Sequence, residues 1–342
     1  MPVAAILDCD GLELSADEVA FFREKDPWGF ILFERNCEAP EQVEALCGAL
    51  RDAVGRADAP ILIDEEGGRV SRLKPPIWAK RPPMAAFGAL YAEDRQAGLE
   101  AAKLNARLQA DDLAAIGVNV NCAPVLDVPQ PGAHDVIGDR AFAGQPDDIA
   151  ALGRASAEGF LEGGVSPVIK HIPGHGRAAA DSHAELPVVK ADAEMLRAVD
   201  FAPFRALADA PMAMTAHVLY AAFDAKRPAT TSPVVIGDVI RGEIGYDGLI
   251  MTDALTMKAL EGSLADRARA SLDAGCDVVL HCDGWGLMSF AEKAEVLDAA
   301  SELSGEAQRR AERALALLRS PKKLDRKEAE RKLANLLPTA LA

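Results

Sequence analysis

Residues Val165–His183 read VSPVIKHIPGHGRAAADSH, a stretch in which an apolar run passes directly into a polar loop. The short run 165–169 predicts a buried strand. Pro173 and Gly174 then interrupt it, because proline lacks an N–H donor and glycine frees the backbone. The stretch from Lys170 to His183 carries two cations, three imidazoles and a carboxylate. It lies at the carboxyl end of a strand, where α/β proteins place their chemistry.

Short apolar runs of this kind recur along the chain, separated by segments with helical spacing. Val43, Leu46, Leu50 and Val54, for example, predict a helix over Glu41–Val54. Strands that alternate with helices form parallel βαβ units, and eight such units fit a (β/α)8 barrel of TIM type. We therefore predict an α/β fold of this class. A doubly wound sheet is the alternative, and it would spread the polar residues along an edge. The predicted strands are Val3–Leu7, Phe30–Phe33, Pro60–Ile63, Val118–Cys122, Val165–Ile169, Met212–Thr215, Leu249–Thr252 and Asp277–His281.

The chain is expected to form one domain. Residues 1–320 are predicted to be a single catalytic barrel, without internal repeats, and its last helix is predicted at Gly305–Arg319. Residues 321–342 are rich in Lys, Arg and Glu. This composition predicts a charged C-terminal tail or a peripheral helix.

Composition limits the partners and the location. The formal net charge of −16 indicates a solvated acidic surface, which disfavours nucleic acid and anionic membranes. No run approaches the ~20 apolar residues of a membrane span, and the N-terminal segment lacks the basic region of a signal peptide. The six cysteines are scattered without a CxxC pair, which is typical of free thiols in a reducing compartment. We therefore expect a cytoplasmic monomer with no nucleic-acid or membrane partner.

Two places in the sequence offer candidate catalytic groups. Asp253 directly follows the apolar run 249–252. In this position it can act as a carboxylate nucleophile or cap the following helix. Asp181 lies two residues before His183 and can orient its ring and stabilise its cation. A histidine can give and take a proton near neutral pH, so this pair can supply the acid/base of a two-step displacement. The alternative is a helix N-cap beside a surface histidine.

Four further polar residues stand near the ends of predicted strands, namely Asp64, Arg72, Arg140 and Lys170. Carboxylates and cations hold hydroxyl and carbonyl groups through strong, directed hydrogen bonds. We interpret these four residues as substrate-binding residues. Taken singly, each is equally typical of a surface ion pair.

The loop histidines raise the question of a metal site. His171 and His175 are four residues apart, but Pro173 and Gly174 exclude the helix that would place both on one face. The Gly-His-Gly core also lacks the glycine–lysine pattern of a phosphate-binding loop. We therefore predict neither a bound metal nor another cofactor.

Together these elements resemble glycoside hydrolase family 3, specifically the bacterial β-N-acetylhexosaminidase branch that trims muropeptides during peptidoglycan recycling. The pattern KHxPGHG followed by DSH, within Lys170–His183, is its most specific part. The similarity runs in order from residue 3 to residue 285. The other matching stretches are GFILFERN at 29–36, IDEEGGRV at 63–70, NCAPVLDV at 121–128, IGDRAF at 137–142, MTAHV at 214–218, TDALTM at 252–257 and ASLDAGCD at 270–277.

The resemblance implies a single barrel and hydrolysis with retention of configuration by double displacement. Asp253 would be the nucleophile, His183 the acid/base and Asp181 the residue that orients it. Retaining enzymes usually employ a second carboxylate, for which the His–Asp pair would stand in. The implied substrates are GlcNAc-1,6-anhydroMurNAc-peptides. The residues implied to hold N-acetylglucosamine are Asp64, Arg72, Arg140, Lys170 and His171.

Two positions depart from the family pattern. Ala254 follows the expected nucleophile where some relatives carry a second Asp, so a negative charge near Asp253 is missing. Glu65 stands where Gln is common. Neither residue has an implied chemical role, so we expect these departures to affect selectivity more than activity.

The sequence is also compatible with three other functions. The same fold can pass the glycosyl group to phosphate, because a neutral histidine repels phosphate less than a carboxylate does. A metal-dependent barrel hydrolase would use His171, His175 and His183, and sensitivity to chelators would reveal it. A non-catalytic sugar-binding module would be expected to lack Asp253 or His183, and both are present.

Overall fold

The computed structural model of the chain describes residues 1–142, 144–284, 286–318 and 320–338. Eight strands in these ranges close into a parallel barrel, and two short strands form a separate parallel pair. The strands are β1 (Val3–Asp8), β2 (Pro27–Leu32), β3 (Ile61–Ile63), β4 (Val120–Asn121), β5 (Ser166–Ile172), β6 (Val188–Val189), β7 (Met212–Thr215), β8 (Leu219–Tyr220), β9 (Leu249–Ala254) and β10 (Val278–His281). Around the barrel the order is β1-β10-β9-β7-β5-β4-β3-β2, and the separate pair is β6-β8.

The closed barrel confirms the predicted fold class and excludes the doubly wound sheet. Each predicted apolar run overlaps one barrel strand. At two strands the observed end lies beyond the predicted end and includes charged or polar residues. β5 continues through Lys170 and His171, and β9 continues through Asp253, whereas the sequence placed these residues after the strands. They extend the strands because their polar side chains find partners at the barrel mouth.

The barrel strands are apolar on both faces because both faces are buried. Ile6, Leu62 and Met251 belong to the cluster that fills the barrel interior. Leu7 and Ile63, each next to one of these residues, pack outward against the helices. Continuous apolar runs are therefore the expected signature of these strands.

Helices form the outer layer, and the predicted helix over 41–54 is α2, which begins one residue earlier. In the described ranges the α-helices are α1 (Ala16–Lys25), α2 (Pro40–Val54), α3 (Met84–Glu93), α4 (Arg95–Ala115), α5 (Pro146–Glu162), α6 (Ala193–Met195), α7 (Ala202–Ala206), α8 (Leu264–Ala274), α9 (Phe290–Ala299), α10 (Gly305–Ala316) and α11 (Arg326–Leu336). The crossover before β9 is a π-helical segment, Val234–Glu243.

The C-terminal segment packs back onto the barrel helices. α10 ends at Ala316, short of the predicted Arg319, which lies outside the described residues. In α11, Arg326 pairs with Asp111 and Asp112 of α4 at 3.0 and 2.6 Å. The predicted tail therefore contains a peripheral helix, although residues 339–342 lie outside the described residues. The domain boundary at residue 320 stays a prediction.

Across the described ranges, no helix combines the length and the apolar character needed to cross a bilayer.

The six cysteines are unpaired, as predicted. Burial raises the pKa of the Cys37 and Cys47 thiols to about 12. These two thiols are therefore protonated and poorly nucleophilic at neutral pH.

Candidate active site

Polar side chains gather at one mouth of the barrel, formed by the carboxyl ends of its strands. Lys170 and His171 lie in β5, Asp253 lies in β9, and Asp64 directly follows β3. The other predicted site residues lie on loops that leave the same mouth: Arg72 between β3 and α3, Arg140 between β4 and α5, and Asp181 with His183 between β5 and β6. The fold therefore brings all eight predicted site residues to one end.

An ion cluster, made of Asp64, Glu66, Arg72, Arg140 and Lys170, joins three of the strand ends. Lys170 Nζ lies 2.9 Å from Asp64 Oδ1 and 2.7 Å from Glu66 Oε1. Arg140 donates one hydrogen bond to each oxygen of Glu66, both at 2.8 Å. Arg72 Nη2 lies 3.3 Å from Asp64 Oδ2. The cluster thus unites four predicted residues and adds Glu66.

Charge pairing outweighs burial in this ion cluster. Burial alone would raise the pKa of Asp64 and of Glu66, but the cations around them hold the pKa of both carboxyls well below the usual range. The two carboxylates in turn hold the pKa of Lys170 above its usual value, although its burial opposes this. All these groups are therefore ionised at neutral pH. Three cations face two carboxylates, an arrangement that both donates to and accepts from hydroxyl groups.

His171 is held by a buried carboxylate, Asp127. Its Nδ1–H donates to Asp127 Oδ2 at 2.7 Å, since a carboxylate can only accept. The backbone N–H groups of His171 and His175 donate to Asp127 Oδ1 at 3.2 and 2.6 Å. These contacts outweigh burial and hold the pKa of Asp127 below its usual value. With Nδ1 engaged, Nε2 is the nitrogen through which His171 can contact a ligand.

Asp253 is oriented by its own backbone and by the neighbouring strand. Its Oδ1 accepts the N–H of Ala254 at 2.8 Å. His217, which follows β7, donates from Nε2 to the Ala254 carbonyl at 3.0 Å and bonds Thr230 Oγ1 through Nδ1 at 2.7 Å. Burial alone would raise the pKa of Asp253, but His217, His171 and the backbone bond hold it below its usual value. Asp253 is therefore an ionised carboxylate at neutral pH, as a nucleophile must be.

A second His–Asp pair lies on the loop between β5 and β6. His183 Nδ1–H donates to Asp181 Oδ1 at 2.7 Å, and the same oxygen accepts the backbone N–H of His183 at 2.9 Å. The side chains of His183 and Asp181 are 39% and 31% exposed, so solvent reaches the pair. Burial would raise the pKa of Asp181, but the two hydrogen bonds from His183 lower it. With Nδ1 bound to a carboxylate, Nε2 becomes the nitrogen that exchanges protons.

This loop reaches the segment that follows β9. The Ser182 carbonyl accepts the N–H of Ala259 at 3.2 Å, and Ser182 Oγ lies 3.7 Å from Met257 Sδ. These contacts bring His183 to the side of the mouth that holds Asp253. Burial raises the pKa of Asp253, and His217, His171 and His183 lower it. The effect of His183 is smaller than those of His217 and His171.

The first residues of the loop are fixed against the barrel. Gly174 has a φ of +136°, in the region that favours glycine. A Cβ at Gly176 would collide with the carbonyl of Val128. Arg177 Nε donates to Asp200 Oδ2 at 2.7 Å. Glycine is therefore needed at positions 174 and 176 for close approach of the loop to the barrel, and the Arg177–Asp200 pair helps to fix the start of the loop that carries the His–Asp pair.

The geometry adds three residues to the site, Glu66, Asp127 and His217, whose place after the strands was visible in the sequence but for which the sequence alone indicated no role. Each follows a barrel strand by a few residues, so its position was a usable signal. The missing information was the partner, because Asp127 and His171 are 44 residues apart in sequence and His217 and Ala254 are 37 apart.

The three loop histidines contact nearby side chains at the barrel mouth. His171 and His183 each bind a carboxylate, and His175 packs edge-on against His171 with ring centroids 5.8 Å apart. Burial lowers the pKa of His175 to about 4, so its ring is neutral at pH 7. In the part of the chain that the structure describes, no three His, Cys, Asp or Glu side chains are grouped to hold a metal ion.

Replacing Lys170 tests the ion cluster. We expect Lys170→Met to lower the free energy of unfolding at pH 7 by about 3–5 kcal/mol, because it removes the cation that contacts both carboxylates and leaves Asp64 with its 3.3 Å contact to Arg72. The lowered pKa values of Asp64 and Glu66 contribute stability above about pH 4.5, which is lost as pH falls through the folded values. Without Lys170 these values rise, so acid unfolding should begin at a higher pH. Urea titrations followed by circular dichroism between pH 3 and 8 measure both effects.

The matched control for this variant is Lys103→Met. Lys103 pairs with Glu158 and Glu162 at 3.1 and 3.3 Å on the surface, where such pairs contribute about 0–1 kcal/mol. Equal losses in the two variants would mean that the ion cluster contributes no more than a surface pair.

Comparisons with known proteins agree with this geometry. Residues 11–317 match the model of the glycosyl hydrolase family 3 N-terminal domain. A beta-hexosaminidase of Methylococcus capsulatus is 42% identical over 282 residues, which cover 81% of this chain and 82% of the relative. NagZ from Neisseria gonorrhoeae, solved with N-trifluoroacetyl-D-glucosamine, has a TM-score of 0.86 at 29% identity over 98% of both chains. A family 3 beta-N-acetylglucosaminidase from Paenibacillus has a TM-score of 0.84 at 33% identity, over 97% of this chain and 66% of the longer one.

A parallel barrel with this mouth and this sequence match defines the class: the chain belongs to glycoside hydrolase family 3. Within the family it is a glycoside hydrolase of the β-hexosaminidase type, the activity for which its relatives are named. The resemblance of the sequence to family 3 and to its β-hexosaminidases is thereby confirmed.

Proposed function

We propose that the chain is a retaining β-N-acetylglucosaminidase that removes terminal non-reducing N-acetylglucosamine from muropeptides of the type GlcNAc-1,6-anhydroMurNAc-peptide. One observation carries the proposal. An ionised carboxylate, Asp253, and a carboxylate-oriented histidine, His183, lie at the same barrel mouth. A nucleophile and an acid/base are the two groups that a double displacement requires.

In the first step, the Asp253 oxygen that does not accept the Ala254 N–H attacks the anomeric carbon. The bond from this carbon to the glycosidic oxygen breaks. His183, as a cation stabilised by Asp181, gives its Nε2 proton to the departing oxygen. The products are a covalent glycosyl-enzyme and the released anhydro-muropeptide.

In the second step, neutral His183 takes a proton from water while the water oxygen attacks the anomeric carbon. The bond between Asp253 and the sugar breaks, which restores the carboxylate and the protonated His183. Two inversions give N-acetylglucosamine with its original β configuration. Asp181 carries no proton in either step, because its role is to hold the ring and stabilise the cation.

The ion cluster and His171 hold the sugar in this mechanism. Asp64 accepts hydrogen bonds from sugar hydroxyls, and Arg72, Arg140 and Lys170 donate to them. Asp127 fixes the His171 ring, so that Nε2 meets the substrate without a further loss of rotamer freedom. Pairing with Glu66 orients the Arg140 and Lys170 side chains before the sugar arrives.

The choice of sugar rests on the relatives and on the sequence pattern. The curated relatives are beta-hexosaminidases, and the similar Neisseria structure was solved with an N-acylated glucosamine. The muropeptide substrate follows from the resemblance to the peptidoglycan-recycling branch. We further propose a cytoplasmic monomer without nucleic-acid or membrane partners, which the net charge of −16 and the unpaired cysteines support.

Aryl glycosides test the proposed activity. We expect rapid nitrophenol release from the N-acetyl-β-glucosaminide, at least ~100-fold slower release from the plain β-glucoside, and no change with phosphate or a chelator. Phosphate-dependent turnover that yields a sugar 1-phosphate would replace hydrolysis by phosphorolysis. Loss of activity with the chelator would favour the metal-dependent alternative.

The muropeptide assignment needs its own substrate. GlcNAc-1,6-anhydroMurNAc-tetrapeptide should release N-acetylglucosamine with a higher kcat/KM than chitobiose, measured by chromatography of the products. A clear preference for chitobiose would retain the glycosidase and reject the muropeptide.

A further inference from the structure

Glu65 is a buried carboxylate next to the ion cluster. It has no role in the proposed mechanism. It lies between Asp64 and Glu66, both of which belong to the cluster, and is 3% exposed. Its side chain binds a different segment of the chain. Oε2 accepts the backbone N–H groups of Arg72 and Leu73 at 2.7 and 3.1 Å, and Oε1 accepts from Ser71 Oγ at 2.5 Å.

The backbone of Glu65 is fixed as firmly as its side chain. Its N–H donates to Asn121 Oδ1 at 3.0 Å, and its carbonyl accepts from Asn121 Nδ2 and Gln109 Nε2, both at 2.9 Å. Asn121 ends β4 and Gln109 lies in α4. Glu65 therefore links the rigid wall of the barrel to residues 71–73 on the β3–α3 loop.

Residues 71–73 carry the most weakly held cation of the ion cluster. Arg72 makes one contact with Asp64, at 3.3 Å, and its guanidinium lies over the Phe33 ring at 5.4 Å. Its side chain is 25% exposed, against 3% for that of Lys170. A long, partly exposed side chain depends on its backbone for its position. Glu65 holds this backbone through the N–H groups of Arg72 and Leu73, and it also accepts the Ser71 hydroxyl.

We propose that Glu65 is a positioning residue that places Arg72 against Asp64 and thereby sets how tightly the enzyme holds the sugar. This inference rests on the proposed role of Arg72 in sugar binding. Glu65 lies behind the loop and acts through Arg72, so its loss should weaken binding while leaving Asp253 and His183 in place.

The hydrogen-bond pattern also predicts which substitution is tolerated. Ser71 Oγ lies 3.1 Å from the Leu73 carbonyl, to which its hydroxyl can turn and donate. A glutamine at position 65 would accept the two backbone N–H groups with its oxygen and donate to Ser71 with its amide. Leucine has similar size but no acceptor, and it would leave two buried N–H groups unpaired.

The experiment compares Glu65→Leu, Glu65→Gln, Arg72→Ala and the double variant Glu65→Leu/Arg72→Ala on an aryl N-acetyl-β-glucosaminide. We expect Glu65→Leu to raise KM about tenfold with kcat changed less than threefold, and Glu65→Gln to stay within about twofold of wild type. The double variant should bind no worse than Arg72→Ala alone, because Glu65 acts through Arg72.

The outcomes separate this inference from the proposed function. No change of KM in Arg72→Ala would overturn the role of Arg72 in the sugar site. A raised KM in Arg72→Ala with an unchanged KM in Glu65→Leu, or additive effects in the double variant, would overturn the role of Glu65. If Glu65→Leu does not fold, Ser71→Ala removes one of the three donors, and the same test of additivity with Arg72→Ala decides the question.

Discussion

Asp253→Ala should lower kcat/KM on an aryl N-acetyl-β-glucosaminide by about 10⁴-fold or more, while binding of free N-acetylglucosamine changes little. The reason is that no covalent intermediate can form without the carboxylate. Its low pKa, maintained against burial mainly by His217 and His171, keeps the wild-type nucleophile ionised across the neutral range. Stopped and steady-state nitrophenol assays measure the rate, and calorimetry measures the binding. A variant with rates like the wild type would remove Asp253 from the nucleophile role.

The missing carboxylate can be replaced chemically, which separates loss of the nucleophile from loss of structure. Alanine leaves space where the carboxylate attacked, so azide should restore part of the turnover of an activated aryl glycoside. Attack from that face gives the α-glycosyl azide, with configuration opposite to that of the substrate. A β-glycosyl azide, or no rescue in a variant that still binds the sugar, would argue against attack by Asp253.

The control for this variant is Asp139→Asn. Asp139 lies on the β4–α5 loop at the same mouth, is largely exposed and pairs with Arg69 at 3.0 Å. Its side chain pairs with Arg69, which has no role in the proposed mechanism, so we expect the rates of this variant to stay within about twofold of wild type. A large loss in this variant would show that the site responds to any change of charge at the mouth.

The fold could be predicted because its signal is local. The barrel strands are buried on both faces, so most of them appear in the sequence as largely apolar runs, such as Met212–Thr215, whose predicted bounds match β7. The positions of Asp64 and Asp253 after or within such runs were enough to place them at the mouth. Parallel strands carry all their carboxyl ends to one side, so no knowledge of contacts was needed.

The partners within the site could not be predicted, because they join distant parts of the chain. A lysine without a partner is too polar for a buried strand, and the place of Lys170 in β5 follows from pairing with Asp64, 106 residues away. Two buried carboxylates offset the cost of removing a lysine from water, so the strand continues through it. Without this pairing in view, the sequence indicated a loop at the same residue.

His183→Ala should produce losses that depend on the leaving group. For a substrate with a poor leaving group, such as chitobiose, kcat/KM should fall about 10²–10⁴-fold, because the departing oxygen requires a proton. For a dinitrophenyl glycoside, which leaves without protonation, kcat/KM should change by less than about fivefold. Since kcat/KM reports the steps up to formation of the glycosyl-enzyme, it isolates the acid role from the later base role.

The companion variants distinguish proton transfer from structure. Asp181→Asn removes the negative charge beside Nδ1 and should show the same dependence on the leaving group with smaller losses, because His183 remains. His134→Ala, on the neighbouring β4–α5 loop, removes an exposed ring that accepts the Val136 N–H at 3.0 Å. This ring lowers the pKa of Asp181 less than the two hydrogen bonds from His183 do, so we expect rates within about twofold of wild type on both substrates. The acid/base assignment depends on the contrast between substrates. If His183→Ala loses the same factor on chitobiose and on the dinitrophenyl glycoside, the ring shapes the mouth without transferring a proton, and the acid must be sought elsewhere at this mouth.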